Sequence, residues 1–381
     1  MTNEYANILS ALKESGNFRT IPSGNEGPEI IDLSSNDYLG LASKPHLQEE
    51  FLSEAHNRLL PFTSSASRLL AASQDEYTRL ETLLGELYGR KALLFNSGYH
   101  ANTGLISSLA QPASTLIVAD KLVHASIIDG IVLSKAPFIR YRHNDLNHLE
   151  RILQKEAGNY TRILVAAESV YSMDGDRADI EGLIGIKHKY PNVILYIDEA
   201  HAFGVEGQNG LGLCRDAAGY DEIDVVVGTF GKACASMGAF CALSPTLKDY
   251  AVNRARSFIF STALPPISVA WTKRMIETFM EMDTERAHLN ALGKRLCAIL
   301  QPLSPSHPVT ASHIQPLVLG SSEKALQISA RLLDEGFKVL PIRTPTVPPG
   351  TERLRISLSA SLTFDDIDRF GQALIHSLSE S

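Results

Sequence analysis

Short apolar runs alternate with longer amphipathic stretches between residues 91 and 244. Because the apolar runs are continuous in Val, Ile and Leu, they predict strands covered on both faces, as in a mostly parallel sheet packed between helices. The predicted strands are KALLF (91–95), STLIVAD (114–120), PFIRY (137–141), RILVAAES (162–169), VILYID (193–198), DVVVGTF (224–230) and GAFCALS (238–244). The stretches between them predict helices at about 98–110, 124–135, 145–157 and 179–190.

The pattern changes after STALPP at 261–266. A helical stretch from about 267 to 301 leads into a smaller set of strands and helices. It comprises the predicted strand IQPLVLG, a helix at about 322–335, the predicted strands FKVLPI and LRISLSA, and a closing helix near 363–378. The Pro-rich segment RTPTVPPG (343–350) predicts a loop. We therefore expect an α/β protein with an N-terminal segment (1–45), a large domain (46–270) and a smaller α+β C-terminal domain (271–381).

Composition narrows the class of protein. The 381 residues are 44% hydrophobic, which is enough for a large core, and the formal net charge is −8. Without a long basic run, this charge argues against nucleic acid or an anionic membrane as the main partner. The four cysteines form no C-x-x-C pair and no zinc-type cluster, which predicts reduced thiols and no metal site. Neither a signal peptide nor an apolar run of about 20 residues is evident, so we expect a cytoplasmic enzyme.

The candidate chemistry lies at two strand ends. Asp198 and His201 close the run ILYIDEAH, and Lys232 follows the run DVVVGTFGK. In an open α/β sheet, ligands collect outside the carboxyl ends of the strands. A carboxylate there can keep a pyridine nitrogen protonated, and a lysine can carry an aldehyde as a Schiff base. The combination therefore points to a pyridoxal 5'-phosphate (PLP) site.

Four further residues support a PLP site only as members of this set. Gly98 and Tyr99 follow KALLF and open a helix whose backbone amides favour a phosphate. Ser169 closes RILVAAES, and His124 opens another helix, where an imidazole can stack on a ring. Taken alone, each of these residues is more often a helix cap or a surface residue.

Two nucleotide-binding interpretations of the sequence fail because the motif that each requires is absent. ILYIDEAH resembles the acidic box of ATP-dependent helicases, which also require a phosphate loop of the form G-x-x-x-x-G-K-[ST]. The Gly-Lys pairs in FGKA (230–233) and LGKR (292–295) lack that spacing. The glycines of FGVEGQNGLG follow a strand-end histidine and do not open an amphipathic helix, so they indicate a flexible loop and not a dinucleotide fingerprint.

Seven segments taken together resemble a known family. They are SSNDYLGL (34–41), FNSGYHANTG (95–104), DKLVHASIIDG (120–130), ESVYSMDGD (168–176), DEAHAFGVEGQNGLG (198–212), TFGK (229–232) and RSFIFSTALPP (256–266). In order and along almost the whole chain they resemble the α-oxoamine synthases, which are PLP enzymes of the aspartate-aminotransferase fold (fold type I). The resemblance implies a mostly parallel central sheet in the large domain and a smaller C-terminal domain.

The resemblance also implies a role for individual residues. Lys232 would be the Schiff-base lysine, Asp198 the partner of the pyridine nitrogen, His201 that of the phenolic oxygen, and His124 the stacking residue. Gly98 and Tyr99 would hold the phosphate side of PLP, with Ser169 and Thr229 nearby. Asn36 and Arg355 would contact the amino-acid substrate, and Arg19 the acyl substrate. Thr262 would reach the phosphate of the partner subunit, which implies a homodimer with shared active sites.

The implied reaction is a decarboxylative condensation of L-alanine with a pimeloyl thioester. The alternative within the family uses glycine or serine with another acyl-CoA, as 2-amino-3-ketobutyrate CoA ligase does. From another class, an inactive homologue serving as a binding partner stays open, because a fold does not determine a function. The sequence leaves undecided whether the acyl carrier is coenzyme A or a carrier protein.

One loop departs from the family pattern. Where relatives have a glycine-rich G-S-x-G-S-R loop, this chain has TSSASRLLAAS at 63–73, which keeps Arg68 but replaces the glycines. The histidine that often follows is also absent, with Gln74 and Asp75 in that region. Because the resemblance places this loop at the neighbouring active site, the departure bears on the acyl pocket.

Overall fold

The computed structural model describes residues 2–21, 30–72, 74–110, 114–307 and 309–379. Its strands are β1 (Ile31–Asp32), β2 (Lys91–Phe95), β3 (Thr115–Asp120), β4 (Phe138–Tyr141), β5 (Arg162–Glu168), β6 (Val193–Asp198), β7 (Val225–Thr229), β8 (Ala239–Leu243), β9 (Ile314–Val318), β10 (Phe337–Lys338), β11 (Leu340–Ile342) and β12 (Arg353–Ser357). Its α-helices are α1 (Thr2–Glu14), α2 (Pro45–Ser53), α3 (Ala55–Arg58), α4 (Asp75–Tyr88), α5 (Gly98–Leu109), α6 (Ala125–Ser134), α7 (Leu146–Glu156), α8 (Ile180–Lys189), α9 (Leu213–Asp216), α10 (Pro245–Arg254), α11 (Arg256–Ile259), α12 (Pro266–Met280), α13 (Asp283–Leu300), α14 (Ser322–Asp334) and α15 (Phe364–Ser379). Short 3₁₀ turns cover Gln208–Gly210, Tyr220–Glu222 and Gln301–Leu303.

The larger of two compact units contains residues 39–172 and 177–286. Its described strands form a seven-stranded sheet in the order β2-β8-β7-β6-β5-β3-β4. Only β8 runs antiparallel to its neighbours β2 and β7, so the sheet is mostly parallel, as expected. The expected fold class is therefore confirmed.

The predicted strands of this sheet are found within one residue at each end. Their continuous apolar sequences correspond to burial on both faces: β3, β7 and β8 are buried at every position. Helices α5 and α6 contribute apolar side chains to the same core as these strands. The hydrophobic runs predicted the sheet because a strand buried on both faces cannot alternate with polar residues.

The smaller unit contains residues 1–38, 173–176 and 287–381. In it β1 pairs with β10 in parallel, and β12 lies between β9 and β11 in an antiparallel sheet. The segment predicted as one strand, FKVLPI, forms two short strands that join different sheets. The buried residues Ile328 of α14 and Phe370 and Leu374 of α15 belong to the core of this unit.

The prediction of one helix from about 267 to 301 is wrong in detail. α12 ends at Met280, Glu281 leaves the helical conformation, and α13 begins at Asp283. An acidic residue at a helix N-terminus interacts favourably with the exposed amides and the helix dipole, which favours a new start at Asp283.

Within the described ranges, we found no helix that combines the length and the hydropathy required to cross a membrane. The same residues contain no group of three His, Cys, Asp or Glu side chains arranged to hold a metal ion. The division of the sequence into 1–45, 46–270 and 271–381 stays a prediction.

Candidate active site

A cavity of about 160 Å³ opens at the carboxyl ends of the strands in the larger unit. The predicted residues Gly98, Tyr99, His124, Asp198, His201, Thr229 and Lys232 line it together with Asn102, Ser126, Glu168 and Ala200. The site is assembled here because parallel strands present their carboxyl ends, and the loops that follow them, at one edge of the sheet.

Asp198 is the last residue of β6 and is only 4% exposed. Its Oδ2 accepts a hydrogen bond from Asn102 Nδ2 at 2.7 Å, and its Oδ1 accepts one from the backbone N–H of Ala200 at 2.9 Å. Both donors are electrically neutral. Neutral donors alone compensate a buried carboxylate only in part, so a further cation entering the cavity would bind favourably beside Asp198.

Lys232 and His201 meet across the cavity. Lys232 follows β7 after two intervening residues, and its Nζ lies 2.7 Å from His201 Nε2. His201 is buried. The predicted lysine and histidine are therefore in hydrogen-bond contact, within the same cavity as Asp198.

His124 is the N-cap residue of α6. Its backbone N–H donates a short hydrogen bond to Glu168 Oε1, and its Nδ1 accepts one from the backbone N–H of Ser126. Burial lowers the pKa of His124 below its ordinary value, against the opposing effect of the Asp198 charge. The imidazole is thus held neutral beside the cavity.

The first turn of α5 lies at the cavity, and the sequence predicts a phosphate-binding surface there. Ser97 caps the helix by accepting a hydrogen bond from the backbone N–H of His100 at 3.2 Å, and Gly98 and Tyr99 follow it. Thr229 Oγ1 donates to the carbonyl oxygen of Gly238 at 3.1 Å. Unpaired amides at a helix start favour an anion, and Gly98 and Tyr99 place them at the cavity wall.

Ser169 lies outside this set of lining residues. It is fully buried, and its backbone N–H donates to the carbonyl oxygen of Asp198 at 2.9 Å. The neighbouring Glu168 lines the cavity instead. A direct contact of Ser169 with a cofactor stays a prediction.

Sequence reasoning missed three polar lining residues, Asn102, Ser126 and Glu168, and the apolar Ala200. Glu168 carried the same signal as Asp198, because it is a carboxylate that ends a buried apolar run. Asn102 lies in the interior of α5 and Ser126 is the second residue of α6, where the sequence carries no comparable signal.

Thr262 and the loop at 63–73, whose sequence departs from the family pattern, are also in the larger unit. Thr262 forms an isolated β-bridge with Ser67, and its carbonyl oxygen accepts a hydrogen bond from Asn96 Nδ2 at 2.6 Å. Arg68 packs over the Tyr77 ring at 4.1 Å and lies 3.6 Å from Glu81. The last residue of the loop, Ser73, lies outside the described residues.

The predicted substrate residues lie in the smaller unit. Arg355 Nη2 donates to Asn36 Oδ1 at 3.2 Å, and its Nη1 donates to Ser357 Oγ at 2.7 Å. Arg19 is separate from this pair and donates to Thr346 Oγ1 at 3.4 Å. It lines a second cavity of about 420 Å³ together with Arg343.

Comparisons with known proteins give the family. The family model described as Aminotransferase class I and II matches residues 28–374. A curated Pasteurella multocida protein named "Putative 8-amino-7-oxononanoate synthase" is 45% identical over 379 residues, covering 97% of this chain and 98% of that protein. A Neisseria meningitidis serogroup A protein of the same name is 46% identical over 376 residues, covering 98% and 96%. The chain belongs to the α-oxoamine synthases.

Solved structures agree with this membership. A Sphingomonas wittichii serine palmitoyltransferase superposes with a TM-score of 0.86 at 28% identity, covering 99% of this chain and 97% of that chain. An 8-amino-7-oxononanoate synthase from Francisella tularensis superposes with a TM-score of 0.77 at 27% identity, covering 92% and 98%. This α-oxoamine synthase therefore has the aspartate-aminotransferase-like fold and is a PLP-dependent enzyme of the acyltransferase type.

The residues at the cavity of this α-oxoamine synthase fit PLP. The cavity joins an amine (Lys232), a buried carboxylate (Asp198), an imidazole (His124) and a helix N-terminus (Gly98). When bound, PLP supplies an aldehyde that captures an amine and a protonated ring that accepts the electron pair left at an α-carbon. Each polar part of that molecule thus has a complementary group in the cavity.

Proposed function

We propose that this enzyme condenses L-alanine with a pimeloyl thioester to give 8-amino-7-oxononanoate. The α-carbon of alanine forms a bond to the acyl carbon, the carbon–sulfur bond breaks, and the thiol leaves with a proton. The carboxylate of alanine departs as carbon dioxide, and the α-carbon is protonated in its place. The product keeps the second carboxylate of the pimeloyl chain, so the enzyme needs a cationic group for that end of the substrate.

In this proposal the residues of the larger unit bind PLP and move protons. Lys232 would hold the aldehyde end of PLP, and its free Nζ would take the α-proton of alanine. Asp198 would pair with the ring nitrogen and His201 with the phenolic oxygen. His124 would stack on the ring. Amides at Gly98 and Tyr99, with Ser169 and Thr229 nearby, bind the phosphate.

The proposed acyl substrate is supported by a cavity that two arginines line. Arg19 and Arg343 share it with apolar side chains of Phe18 and Ile342. Partial burial, and then the nearby charge of Arg19, lower the pKa of Arg343. Two like charges at one cavity favour an anion between them, and a carboxylate binds guanidinium groups with strong charge-assisted hydrogen bonds. A chain with a terminal carboxylate meets this description, whereas a simple fatty acyl chain does not.

Asn36 and Arg355 are the proposed contacts of the amino-acid substrate. Arg355 is 3% exposed and is oriented by Ser357 and Asn36. A guanidinium held in this way is suited to bind the α-carboxylate of an amino acid.

A second candidate function is the condensation of serine or glycine with another acyl-CoA. It is favoured by the structural similarity to a serine palmitoyltransferase, at 28% identity. The names of relatives that are 45–46% identical over nearly the full length favour the first function.

The direct test is an assay of purified, PLP-loaded protein with each amino acid and each thioester. We expect alanine with pimeloyl-CoA or a pimeloyl carrier protein to give 8-amino-7-oxononanoate, identified by mass spectrometry. The two pimeloyl donors, assayed side by side, also identify the acyl carrier. Turnover with serine and palmitoyl-CoA or with glycine and acetyl-CoA, and none with either pimeloyl donor, would contradict the proposal.

Two acyl-CoA substrates of equal chain length test whether the cavity lined by Arg19 and Arg343 binds a carboxylate. Heptanoyl-CoA has the chain length of pimeloyl-CoA but no terminal carboxylate. Replacing Arg19 by Gln should lower kcat/KM for pimeloyl-CoA by about 10- to 100-fold, because a charge-assisted hydrogen bond is lost, and leave kcat/KM for heptanoyl-CoA unchanged. The control Arg151→Gln changes an exposed arginine on α7 and should alter neither value. Equal loss on both donors would show that Arg19 does not bind the carboxylate.

We also propose a cytoplasmic homodimer with shared active sites, in which Thr262 reaches the phosphate of the partner subunit. Large apolar side chains near Thr262 are exposed on the larger unit. Phe260, which precedes Thr262 in the sequence, is 70% exposed, and Leu70, which follows its bridge partner Ser67, is 78% exposed. Exposed apolar surface of this kind is typical of a protein interface. The four cysteines are free thiols, which fits a reducing compartment.

A further inference from the structure

Asn102 is the centre of a buried hydrogen-bond network that joins α5, α6 and β6. Its Nδ2 donates to Asp198 Oδ2 at 2.7 Å and to Ser126 Oγ at 2.9 Å. Its Oδ1 accepts from the hydroxyl of Tyr196 at 2.6 Å. Asn102, Ser126 and Tyr196 are at most 1% exposed. The amide therefore uses both of its N–H groups and its oxygen in contacts shielded from water.

The orientation of the Asn102 amide follows from its partners. An ionised carboxylate can only accept hydrogen bonds, so the atom that faces Asp198 is the amide nitrogen. The oxygen then faces Tyr196, whose hydroxyl donates to it. The second N–H of the amide is directed to Ser126, so the Ser126 oxygen acts as an acceptor toward Asn102.

The same reasoning places the proton of His124. Because Ser126 Oγ accepts from Asn102, its own hydrogen is available for His124 Nδ1, which lies 2.7 Å away. The backbone N–H of Ser126 also donates to His124 Nδ1, at 3.2 Å. A nitrogen that accepts two hydrogen bonds carries no proton, so the single proton of the neutral imidazole is on Nε2.

Close helix packing makes this network possible. A side chain at position 130 of α6 would place its Cβ 3.0 Å from the carbonyl oxygen of Asn102 and 3.0 Å from Ile106 Cβ. Gly130 has no Cβ, so α6 can approach α5 closely enough for Ser126 to reach Asn102.

The titratable groups around His124 come from four parts of the chain. Asp198 ends β6, Glu168 ends β5, Asp129 lies on α6 itself and Lys232 follows β7. The charges of Asp198 and Asp129 raise the pKa of His124 and that of Lys232 lowers it, but burial is the largest effect and lowers it overall. The electrostatic balance therefore agrees with the neutral state required by the hydrogen bonds.

We propose that Asn102 and Ser126 are positioning residues for the condensation: their hydrogen bonds hold His124 as a neutral imidazole with its proton on Nε2, and hold the Asp198 carboxylate in place. This inference rests on the proposed roles of His124 and Asp198 in the reaction. A neutral His124 adds no positive charge next to Lys232, whose amine must lose its proton before it can act as a base. The Nε2–H of His124 remains available as a hydrogen-bond donor at the cavity.

NMR of the PLP-free protein tests the imidazole state directly. With ¹⁵N-labelled histidine, a long-range ¹H–¹⁵N correlation spectrum distinguishes the two neutral tautomers, and a His124→Asn variant assigns the signal of His124. We expect the Nε2–H tautomer near pH 7.5. Replacing Ser126 by Ala removes one hydrogen bond to Nδ1, so the titration midpoint of His124 should rise by about 0.5 to 1 pH unit. An Nδ1–H tautomer, or a charged imidazole in the unaltered protein, would overturn the inference.

Ser108→Ala is the matched control, because Ser108 is a buried serine of α5 whose hydroxyl donates to the carbonyl oxygen of Leu105. It should leave the His124 signal unchanged. Asn102→Ala provides a second variant: like Ser126→Ala, it should raise the titration midpoint of His124. A His124 signal that neither variant alters would overturn the network.

Steady-state kinetics then test the positioning role. In the PLP-loaded enzyme, Ser126→Ala should lower kcat by about three- to tenfold without changing KM for the thioester, and move the acid limb of the pH profile upward with the His124 midpoint. An altered NMR signal with an unaltered kcat and pH profile would refute the positioning role. Because the NMR measurement requires neither PLP nor substrate, a failure of the proposed product to form would contradict the proposed function separately.

Discussion

Glu168 and Asp198 are register partners at the carboxyl ends of the neighbouring strands β5 and β6. Both side chains are buried and line the same cavity. Burial, followed by the charge of Asp198, raises the pKa of Glu168 well above its ordinary value, while the charge of Lys232 opposes that rise. Two adjacent buried carboxyl groups resist a double negative charge, and the raised pKa of Glu168 makes it the member of the pair that favours its protonated form.

A pair of variants tests this protonation state. Glu168→Gln keeps an oxygen that can accept the backbone N–H of His124 and resembles the protonated acid, so it should retain stability and activity. Glu168→Ala leaves that N–H buried without an acceptor and should lower the free energy of unfolding by about 1–3 kcal/mol. Denaturant titration and the alanine–pimeloyl assay measure both effects. Equal damage in the two variants would show that Glu168 acts as a carboxylate.

Glu199 should make the stability of the protein depend on pH. It is fully buried, and its Oε1 accepts the backbone N–H groups of Leu213 and Cys214 at 2.8 and 3.1 Å. A side chain at Gly212 would come within 2.2 Å of Glu199 Oε2, and Gly212 has φ +92°, so glycine is required beside this carboxyl. Burial raises the pKa of Glu199 to about 7 from 4.5.

The sign of the pH effect follows from that raised value. Between these two pKa values the folded protein binds a proton that the unfolded chain has released, so the contribution of Glu199 to stability is largest below pH 4.5 and falls as pH rises toward 7. The loss is about 3 kcal/mol. Glu199→Gln should remove it, as measured by urea unfolding at several pH values. The control Glu49→Gln changes an exposed carboxyl on α2 and should leave the pH dependence intact.

Lys232→Ala should abolish turnover, because Lys232 is the lysine that lines the cavity with Asp198 and His201. Borohydride reduction of the PLP-loaded enzyme followed by peptide mapping should place the pyridoxyl label on Lys232. The control Lys248→Ala alters a lysine that pairs with Glu81 at 2.9 Å and should stay active. A label on Lys248 or Lys273 would contradict the assignment.

Subunit mixing tests the shared active site. A heterodimer of Lys232→Ala and Thr262→Ala chains would place both changes in one site and leave the other intact, so activity should return after subunit exchange. Mixing Lys232→Ala with Asp198→Asn is the control: each site then carries one change, and no activity should return. Absence of complementation in the first mixture, despite subunit exchange shown by mass spectrometry, would refute a role for Thr262 across the interface.

The sequence by itself was sufficient to predict the central sheet and the strand-end residues of the cavity. Asp198, His201 and Lys232 follow continuous apolar runs, and the carboxyl ends of parallel strands meet at one edge whatever the details of packing. The break between α12 and α13 was not predicted, because only two residues, Glu281 and Met282, lie outside the helices within a stretch that is otherwise helical in composition.

Other parts of the site depend on contacts between residues far apart in the chain. Asn102 lies 96 positions from Asp198 and 24 from Ser126, and Arg19 and Arg343 share a cavity although they come from opposite ends of the sequence. Periodicity identifies which face of a helix is buried, but not which polar side chain on that face meets a partner. Only the tertiary structure decides that, because the close approach of α5 and α6 determines which donors and acceptors come within hydrogen-bond distance.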